Sequence, residues 1–277
     1  MTIQAPAKVN LALRVLGKRA DGFHAIETLM APVTLADEID IAVSKGTGIV
    51  LRCSDPAVPA DASNLAWRAA EAFAQRTGRT FRTTITLRKN IPPGAGLGGG
   101  SSDAAAVLVA LNRLLDTRLT DDALEALAAT LGSDIPFFIR NRPAICRGRG
   151  EILEAAGPLP EANLLLVKPP FPVSTAWAYK AWAACGKPDS PAPGPFLGNI
   201  ALFNDLELPV FEKFLLLPIL KSWLADQPEV SAAMMSGSGS TVFAILCGDA
   251  DPLAERIRIR FGAHLWIRAC TLAGAAL

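Results

Sequence analysis

The chain reads as an α+β protein built from two domains, residues 1–158 and 159–277. Three observations predict this. Clean apolar alternation over Ala7–Val15 is followed by further extended segments up to Cys53, read as consecutive strands. The second half is ordered strand, helices, two strands, helix, strand, which is an α+β arrangement. The length of 277 residues, with 51% hydrophobic and 19% charged, allows one large core or two medium ones. No fixed-period repeat is present.

The elements follow in order. Ala7–Val15 alternates, with Val9, Leu11, Leu13 and Val15 on one face and Lys8, Asn10, Ala12 and Arg14 on the other. Asp21-Gly-Phe-His24 is a turn, and Ala25–Thr34, Glu38–Val43 and Ile49–Cys53 are further strands. A helix is predicted over Asn64–Thr77, with Ser63 as N-cap and Gly78 after its end. Thr83–Lys89 alternates as a strand and leads into a glycine-rich loop. Asp103–Leu115 has a helical pattern. Thr120 to Glu125 starts another helix with an acidic first turn, closed near Gly132. Ser133-Asp-Ile-Pro136 opens a new segment.

In the second half, Leu164–Val167 is a short buried strand and Thr175–Cys185 a helix. Gly186–Gly198, rich in proline and glycine, is a loop. Asn204–Leu224 reads as two helical pieces split by Pro209 and Pro218. Val230–Met235 and Thr241–Cys247 are strands flanking Ser236-Gly-Ser-Gly-Ser240. Pro252–Phe261 is a helix and His264–Thr271 the last strand.

The loop at residues 92–102 is the most informative stretch. Five glycines fall between Gly94 and Gly100, followed by Ser101, Ser102 and Asp103. Glycine lets backbone approach a ligand closely. A helix start presents unpaired N–H groups and partial positive charge, a setting for phosphate. The loop also satisfies G-x-G-x-x-G, a weak signal alone. Asp116 has roughly the spacing of the acidic partner in dinucleotide folds, yet closes a helix pattern instead of a strand. Gly100 stands where a Walker loop has lysine. A cation for phosphate must therefore come from elsewhere in the chain.

Composition narrows the remaining classes. The net charge of +1 and the lack of a basic stripe argue against nucleic-acid binding. Cys53, Cys146, Cys185, Cys247 and Cys270 form no C-x-x-C pair, which argues for reduced thiols in the cytoplasm. The start of the chain lacks the pattern of a secretory leader. The longest chargeless run, from Val230 up to Asp249, is broken by the Gly/Ser loop and does not read as a membrane span.

Taken singly, the polar residues are ambiguous. Lys8 and Asn10 share one strand face, which the pattern alone assigns slightly more readily to solvent. Asp134 fits a helix N-cap. Phe23 and His24 could grip a flat ring or simply be exposed. The Gly/Ser loop at 236–240 could be an elaborate hairpin.

Read together, three motifs occur in a characteristic order. They are Ala5-Pro-Ala-Lys8-Val-Asn10-Leu, Pro92-Pro-Gly-x-Gly-Leu-Gly-Gly-Gly-Ser-Ser102 and Met235-Ser-Gly-Ser-Gly-Ser-Thr-Val-Phe243. This trio resembles the GHMP superfamily of small-molecule kinases (galactokinase, homoserine kinase, mevalonate kinase, phosphomevalonate kinase). Arg19-Ala-Asp-Gly-Phe-His24 and Gly132-Ser-Asp-Ile-Pro136 are similar to the branch whose alcohol substrate carries a cytidine diphosphate group. The resemblance spans about Ala5 to Phe243.

It implies a ribosomal S5 domain 2-like N-terminal domain, a ferredoxin-like C-terminal domain and an active site in the cleft between them. It implies ATP and Mg²⁺ as cofactors. Pro92, Gly94, Gly96, Leu97, Gly98, Gly99, Gly100, Ser101 and Ser102 would cradle the nucleotide phosphates, and Ser102 would be the metal contact. Lys8 and Asp134 match the catalytic pair. Asn10, Phe23 and His24 match substrate-side residues, and Thr175 and Tyr179 follow by a looser alignment. The family signature usually has tyrosine where Phe23 stands, so the ring face that stacks is kept while the phenolic hydroxyl is absent. Asn204-Asp-Leu-Glu207 resembles a family segment read as structural. Partners other than the small-molecule substrate are not implied, and the oligomeric state is not encoded in a visible seam.

Overall fold

A computed structural model describes residues 1–185 and 194–273. Two long strands organise the first half: β1 (Thr2–Lys18) and β2 (His24–Ser44) pair antiparallel from Thr2 opposite Asp40 to Lys18 opposite His24. The two strands expected between Ala25 and Val43 are thus one strand of 21 residues. The expected gap, residues 35–37, includes Asp37, an uncommon strand residue. Its buried carboxylate is satisfied across the sheet by the backbone N–H groups of Asn90 and Ile91, so the strand continues.

The remaining first-half elements are β3 (Gly48–Cys53), α1 (Leu65–Thr77), β4 (Arg82–Arg88), α2 (Gly99–Leu114), α3 (Asp121–Leu131), α4 (Ile135–Arg140), β5 (Ala144–Gly148) and β6 (Ile152–Ala155). β4 pairs with the second half of β2, β5 with its first half, and β6 with β5. α1 and α2 bury their apolar faces on this sheet around Phe73, Ile85, Leu87, Leu108 and Phe137.

Local chemistry corrects two boundaries. Asn64, not Ser63, caps α1: its side chain accepts the Ala66 N–H at 2.9 Å, while Ser63 bonds Asp61. α2 begins at Gly99, four residues before the expected start, so Ser101 and Ser102 lie inside its first turn. Gly132 closes α3 as its C-cap, as expected, with extended backbone.

The second half holds β7 (Asn163–Lys168), α5 (Thr175–Cys185), the two-residue strands β8 (Phe196–Leu197), β9 (Ile200–Ala201) and β10 (Phe203–Asn204), then α6 (Glu207–Lys213), α7 (Leu216–Ala225), β11 (Val230–Met235), β12 (Val242–Leu246), α8 (Ala250–Phe261) and β13 (Trp266–Thr271). Most of the predicted loop 186–198 lies outside the described residues; its last part forms the β8–β9 hairpin. Pro209 and Pro218 do not split helices. Each is the third residue of its helix, where the missing N–H has no partner to lose. The break falls at Phe214 and Leu215.

The second sheet has the order β11-β12-β7-β13 and is antiparallel throughout. With a helical stretch after β7 and α8 before β13, this is the ferredoxin-like βαββαβ topology. The apolar face of β1 packs on it: Ala7, Val9 and Leu11 share a core with Leu164, Leu166, Phe243 and Ile245. β10 returns to the first sheet as a parallel edge strand beside β1. One face of β1 is therefore closed by the second sheet. The opposite face, carrying Lys8 and Asn10, is also buried, contrary to the solvent-facing assignment of the bare pattern.

Candidate active site

The glycine loop and the Gly/Ser loop cover that second face by locking into each other. Lys8 N–H donates to Leu97 O at 3.0 Å and Thr241 N–H to Ala95 O at 3.2 Å. Ser236 Oγ donates to Gly96 O at 3.0 Å. A Cβ at Gly96 (φ +75°) would stand 2.3 Å from Ser236 O, and one at Gly98 (φ +74°) 2.7 Å from the Phe138 ring. Gly96 is therefore needed for close approach of backbone to backbone, and Gly98 for approach of the loop to a buried ring. Gly98 is also the N-cap of α2 and offers no side chain to its first N–H groups. The start of a 16-residue helix is thus left open to an anion.

Asn204 and Glu207 brace the Gly/Ser loop from behind. Asn204 Nδ2 donates to Met235 O and Gly237 O, both at 2.8 Å, and Glu207 accepts the Met235 N–H. This gives the Asn204–Glu207 segment a structural task.

Lys8 lies at the meeting point. Its Nζ donates to Asn10 Oδ1 at 2.6 Å and to Gly96 O at 2.9 Å, and stands 3.9 Å from Asp134 Oδ2. Burial lowers the Lys8 pKa from its ordinary value, against the opposing pull of the Asp134 charge. Asn10 is fixed by Nδ2 donating to Thr28 Oγ1. Asp134 occupies the N-cap position of α4 but makes no capping hydrogen bond, and its side chain is 37% exposed. The carboxylate is thus directed to the lysine and the cleft instead of to its own helix.

These residues line a cleft of about 1150 Å³ reached by both halves of the chain. Beyond Lys8 and Asp134 it becomes aromatic. His24 stacks on Tyr179 with ring centroids 5.4 Å apart and meets Trp182 edge-on. His24 Nε2 is buried without a hydrogen-bond partner among the described residues. Phe23 is half-exposed, with the Arg149 guanidinium over its ring at 4.7 Å. Thr175 Oγ1 lies 2.9 Å from Ser238 Oγ, tying α5 to the Gly/Ser loop. Pro92, Gly94, Gly99, Gly100 and Ser101 lie on the cleft wall. Ser102 does not; its hydroxyl is buried in α2 and has no hydrogen-bond partner among the described residues.

Sequence reasoning did not find the ion cluster beneath the glycine loop. Lys89 Nζ pairs with Asp37 and, at 2.6 Å, with Asp103. Burial raises the Asp103 pKa, Lys89 lowers it and Asp37 raises it again, leaving it at about 7. Lys89 itself is pulled down by burial and more than restored by the two carboxylates. The one available signal was Asp103 following the two serines. The turn carrying Arg149 was also missed, although an arginine between two glycines marks a tight basic turn. Asp116 follows α2 in a positive-φ turn and pairs with Arg118, so no strand end supports the dinucleotide alternative.

A two-sheet fold with a glycine loop opening onto a helix, a second Gly/Ser loop and a lysine–carboxylate pair between them defines a small-molecule kinase of the GHMP class. Residues 64–142 match the family described as GHMP kinases N terminal domain, and residues 184–263 GHMP kinases C terminal. A 4-diphosphocytidyl-2-C-methyl-D-erythritol kinase of Methylacidiphilum infernorum is 46% identical over 271 residues, covering 95% of this chain and 94% of that protein. One from Geobacter metallireducens is 40% identical over 90% of each chain. A solved structure of a 4-(cytidine 5'-diphospho)-2C-methyl-D-erythritol kinase superposes with a TM-score of 0.81 at 36% identity, over 99% of this chain and 100% of the other. The chain belongs to the 4-diphosphocytidyl-2-C-methyl-D-erythritol kinase family. A mevalonate kinase from L. major shares the fold, with a TM-score of 0.71 at 15% identity over 100% of this chain and 97% of the other.

Proposed function

We propose that the protein transfers the γ-phosphoryl group of ATP to the 2-hydroxyl of 4-diphosphocytidyl-2-C-methyl-D-erythritol, a step of non-mevalonate isoprenoid precursor synthesis. The observation carrying this reading is the position of Lys8. It joins the glycine loop, through Gly96 O at 2.9 Å, to the Asp134 carboxylate at 3.9 Å. A phosphate at the loop and an alcohol at the carboxylate would meet beside its ammonium.

Phosphoryl transfer needs alignment and charge neutralisation more than covalent help. The open start of α2 and the loop backbone would hold the phosphates. Asp134 would accept the proton of the attacking hydroxyl. Lys8 would neutralise charge on the transferring group. The nucleotide's own charge would favour the ammonium that burial disfavours in the free protein. Asn10 would orient Lys8. Phe23, His24 and Tyr179 supply flat apolar walls for the cytosine ring, with the unpartnered His24 Nε2 as a polar contact, and Thr175 holds that wall to the Gly/Ser loop.

Mg²⁺ bound with the nucleotide would supply neutralisation of phosphate charge. Ser102 has a buried hydroxyl lacking a protein partner. It stands behind the cleft wall, so the expected metal contact does not face the cleft. With a domain division at about residue 158 the cleft would lie between two domains, and the unpaired cysteines suit the cytoplasm. Among the described residues no helix is long and apolar enough to cross a membrane.

The test is a substrate panel with γ-labelled ATP: the cytidine-diphosphate alcohol, homoserine and mevalonate. Label is expected on the cytidine compound alone, at its 2-oxygen by ³¹P NMR. Transfer to homoserine or mevalonate, with none to the cytidine compound, would overturn the substrate assignment.

A further inference from the structure

The turn between β5 and β6, residues 148–151, has no part in the chemistry above, yet it runs along the same cleft. A Cβ at Gly150 (φ +114°) would lie 3.7 Å from Asp134 Oδ1. One residue earlier, the Arg149 guanidinium lies over Phe23, 4.7 Å from the ring centroid. The turn is held by Glu151, whose Oε2 accepts the Arg149 backbone N–H at 2.5 Å. A side chain at Gly148 (φ +72°) would meet that carboxylate at 2.8 Å. The turn's geometry therefore fixes where Arg149 starts.

The Arg149 side chain lines the cleft and is only 28% exposed. Two carboxylates stand near it: Glu151 Oε1, 3.7 Å from Nε, and Asp21. Neither accepts a hydrogen bond from the guanidinium, and no other described residue does. A guanidinium has five N–H donors in a planar fork that matches phosphate oxygens. Here the plane is held by an aromatic ring while the donors remain free.

We propose that Arg149 binds the diphosphate of the substrate and sets the preference for an alcohol linked to a nucleoside diphosphate. This rests on the function proposed above. In that substrate the diphosphate lies between the base and the reacting alcohol. The Arg149 guanidinium rests on Phe23, at the aromatic end, and the next residue, Gly150, stands beside Asp134. The order of groups in the ligand matches the order of residues in the protein.

The experiment is calorimetric titration of the full-length protein with cytidine 5′-diphosphate and, separately, cytidine. Wild type, Arg149→Met and Arg149→Lys are compared. Methionine keeps apolar contact with Phe23 and removes the charge; lysine keeps the charge and removes the fork. Arg149→Met is expected to weaken the diphosphate by about ten- to a hundredfold, the range of a charge-assisted hydrogen bond. Cytidine affinity should change by less than about twofold, which also reports an intact fold. Arg149→Lys should fall between Arg149→Met and wild type for the diphosphate. In turnover, KM for the cytidine-diphosphate alcohol should rise more than kcat falls. Equal losses for cytidine and its diphosphate would reduce Arg149 to a prop for Phe23 and overturn the proposal, as would no change in either. Failure of the functional reading looks different: wild type itself would bind neither cytidine compound.

Discussion

Gly96→Ala tests the locking of the two loops by a single methyl group. The residue sits at φ +75°, where a Cβ costs about 1–2 kcal/mol. The new Cβ would also stand 2.3 Å from Ser236 O and 2.9 Å from Gly239 O. Both are backbone atoms of a loop pinned by Asn204, by Ser236 Oγ on Gly96 O and by Thr241 N–H on Ala95 O. Relief requires one loop to move, and overpacking of this kind costs about 1–3 kcal/mol. Together the destabilisation is about 2–5 kcal/mol, a large share of the roughly 5–15 kcal/mol typical of a folded domain. Gly96 O also anchors Lys8, and misplacing a reacting group by about 1 Å can cost about 10²-fold in rate. Gly100→Ala is the comparison. Gly100 lies in the first turn of α2, with Leu65 Cδ1 as its nearest neighbour at 3.9 Å. It should leave stability unchanged or raise it by up to about 1 kcal/mol. Urea unfolding of the three proteins, with kcat/KM of Gly96→Ala, measures both effects. Gly96→Ala as stable as wild type, or Gly100→Ala equally damaged, would refute the interlock.

Two further outcomes follow from the cleft's edges. Asp103 is raised from 3.8 to about 7. The folded state therefore keeps a proton that the unfolded chain has released between about pH 4 and about pH 7, and stability falls as pH rises through that window. Asp103→Asn cannot ionise, so urea midpoints should show it gaining on wild type from about pH 4 to about pH 7; parallel profiles would exclude the shift. Phe23 is 51% exposed, so Phe23→Ala should change stability by less than about 1 kcal/mol. It should weaken cytidine binding by about three- to tenfold, the worth of an aromatic stack; unchanged affinity in a titration would remove Phe23 from the base site.

Local patterning revealed most of the elements, because strand alternation and helix signals are properties of neighbouring residues. It failed where a distant partner decides. Alternation in β1 put Lys8 and Asn10 on one face but could not reveal that loops 88 and 226 residues away cover it. Asp37 reads as a strand breaker until Asn90 and Ile91 satisfy its carboxylate. Asp134 has the position of a cap, and the absence of a capping bond became visible only in three dimensions. β5 and β6 are short, and charged Arg147 and Glu154 pair with each other on their exposed surface, which hides the alternation. The Asp37–Lys89–Asp103 cluster joins residues 52 and 14 positions apart, a spacing no periodic template covers. The motifs that resemble GHMP kinases supplied the missing long-range information for Lys8, Asp134, Phe23 and His24, and none for Arg149.

The most direct test of the chemistry is single-turnover phosphoryl transfer to the cytidine-diphosphate alcohol by Asp134→Asn, with ATP affinity measured on the same preparation. Loss of the carboxylate should slow transfer by about 10²–10⁴-fold and leave ATP binding within a few-fold of wild type. Transfer at the wild-type rate would show that the proton leaves by another route and would contradict the pairing of Lys8 with Asp134 as the reacting centre.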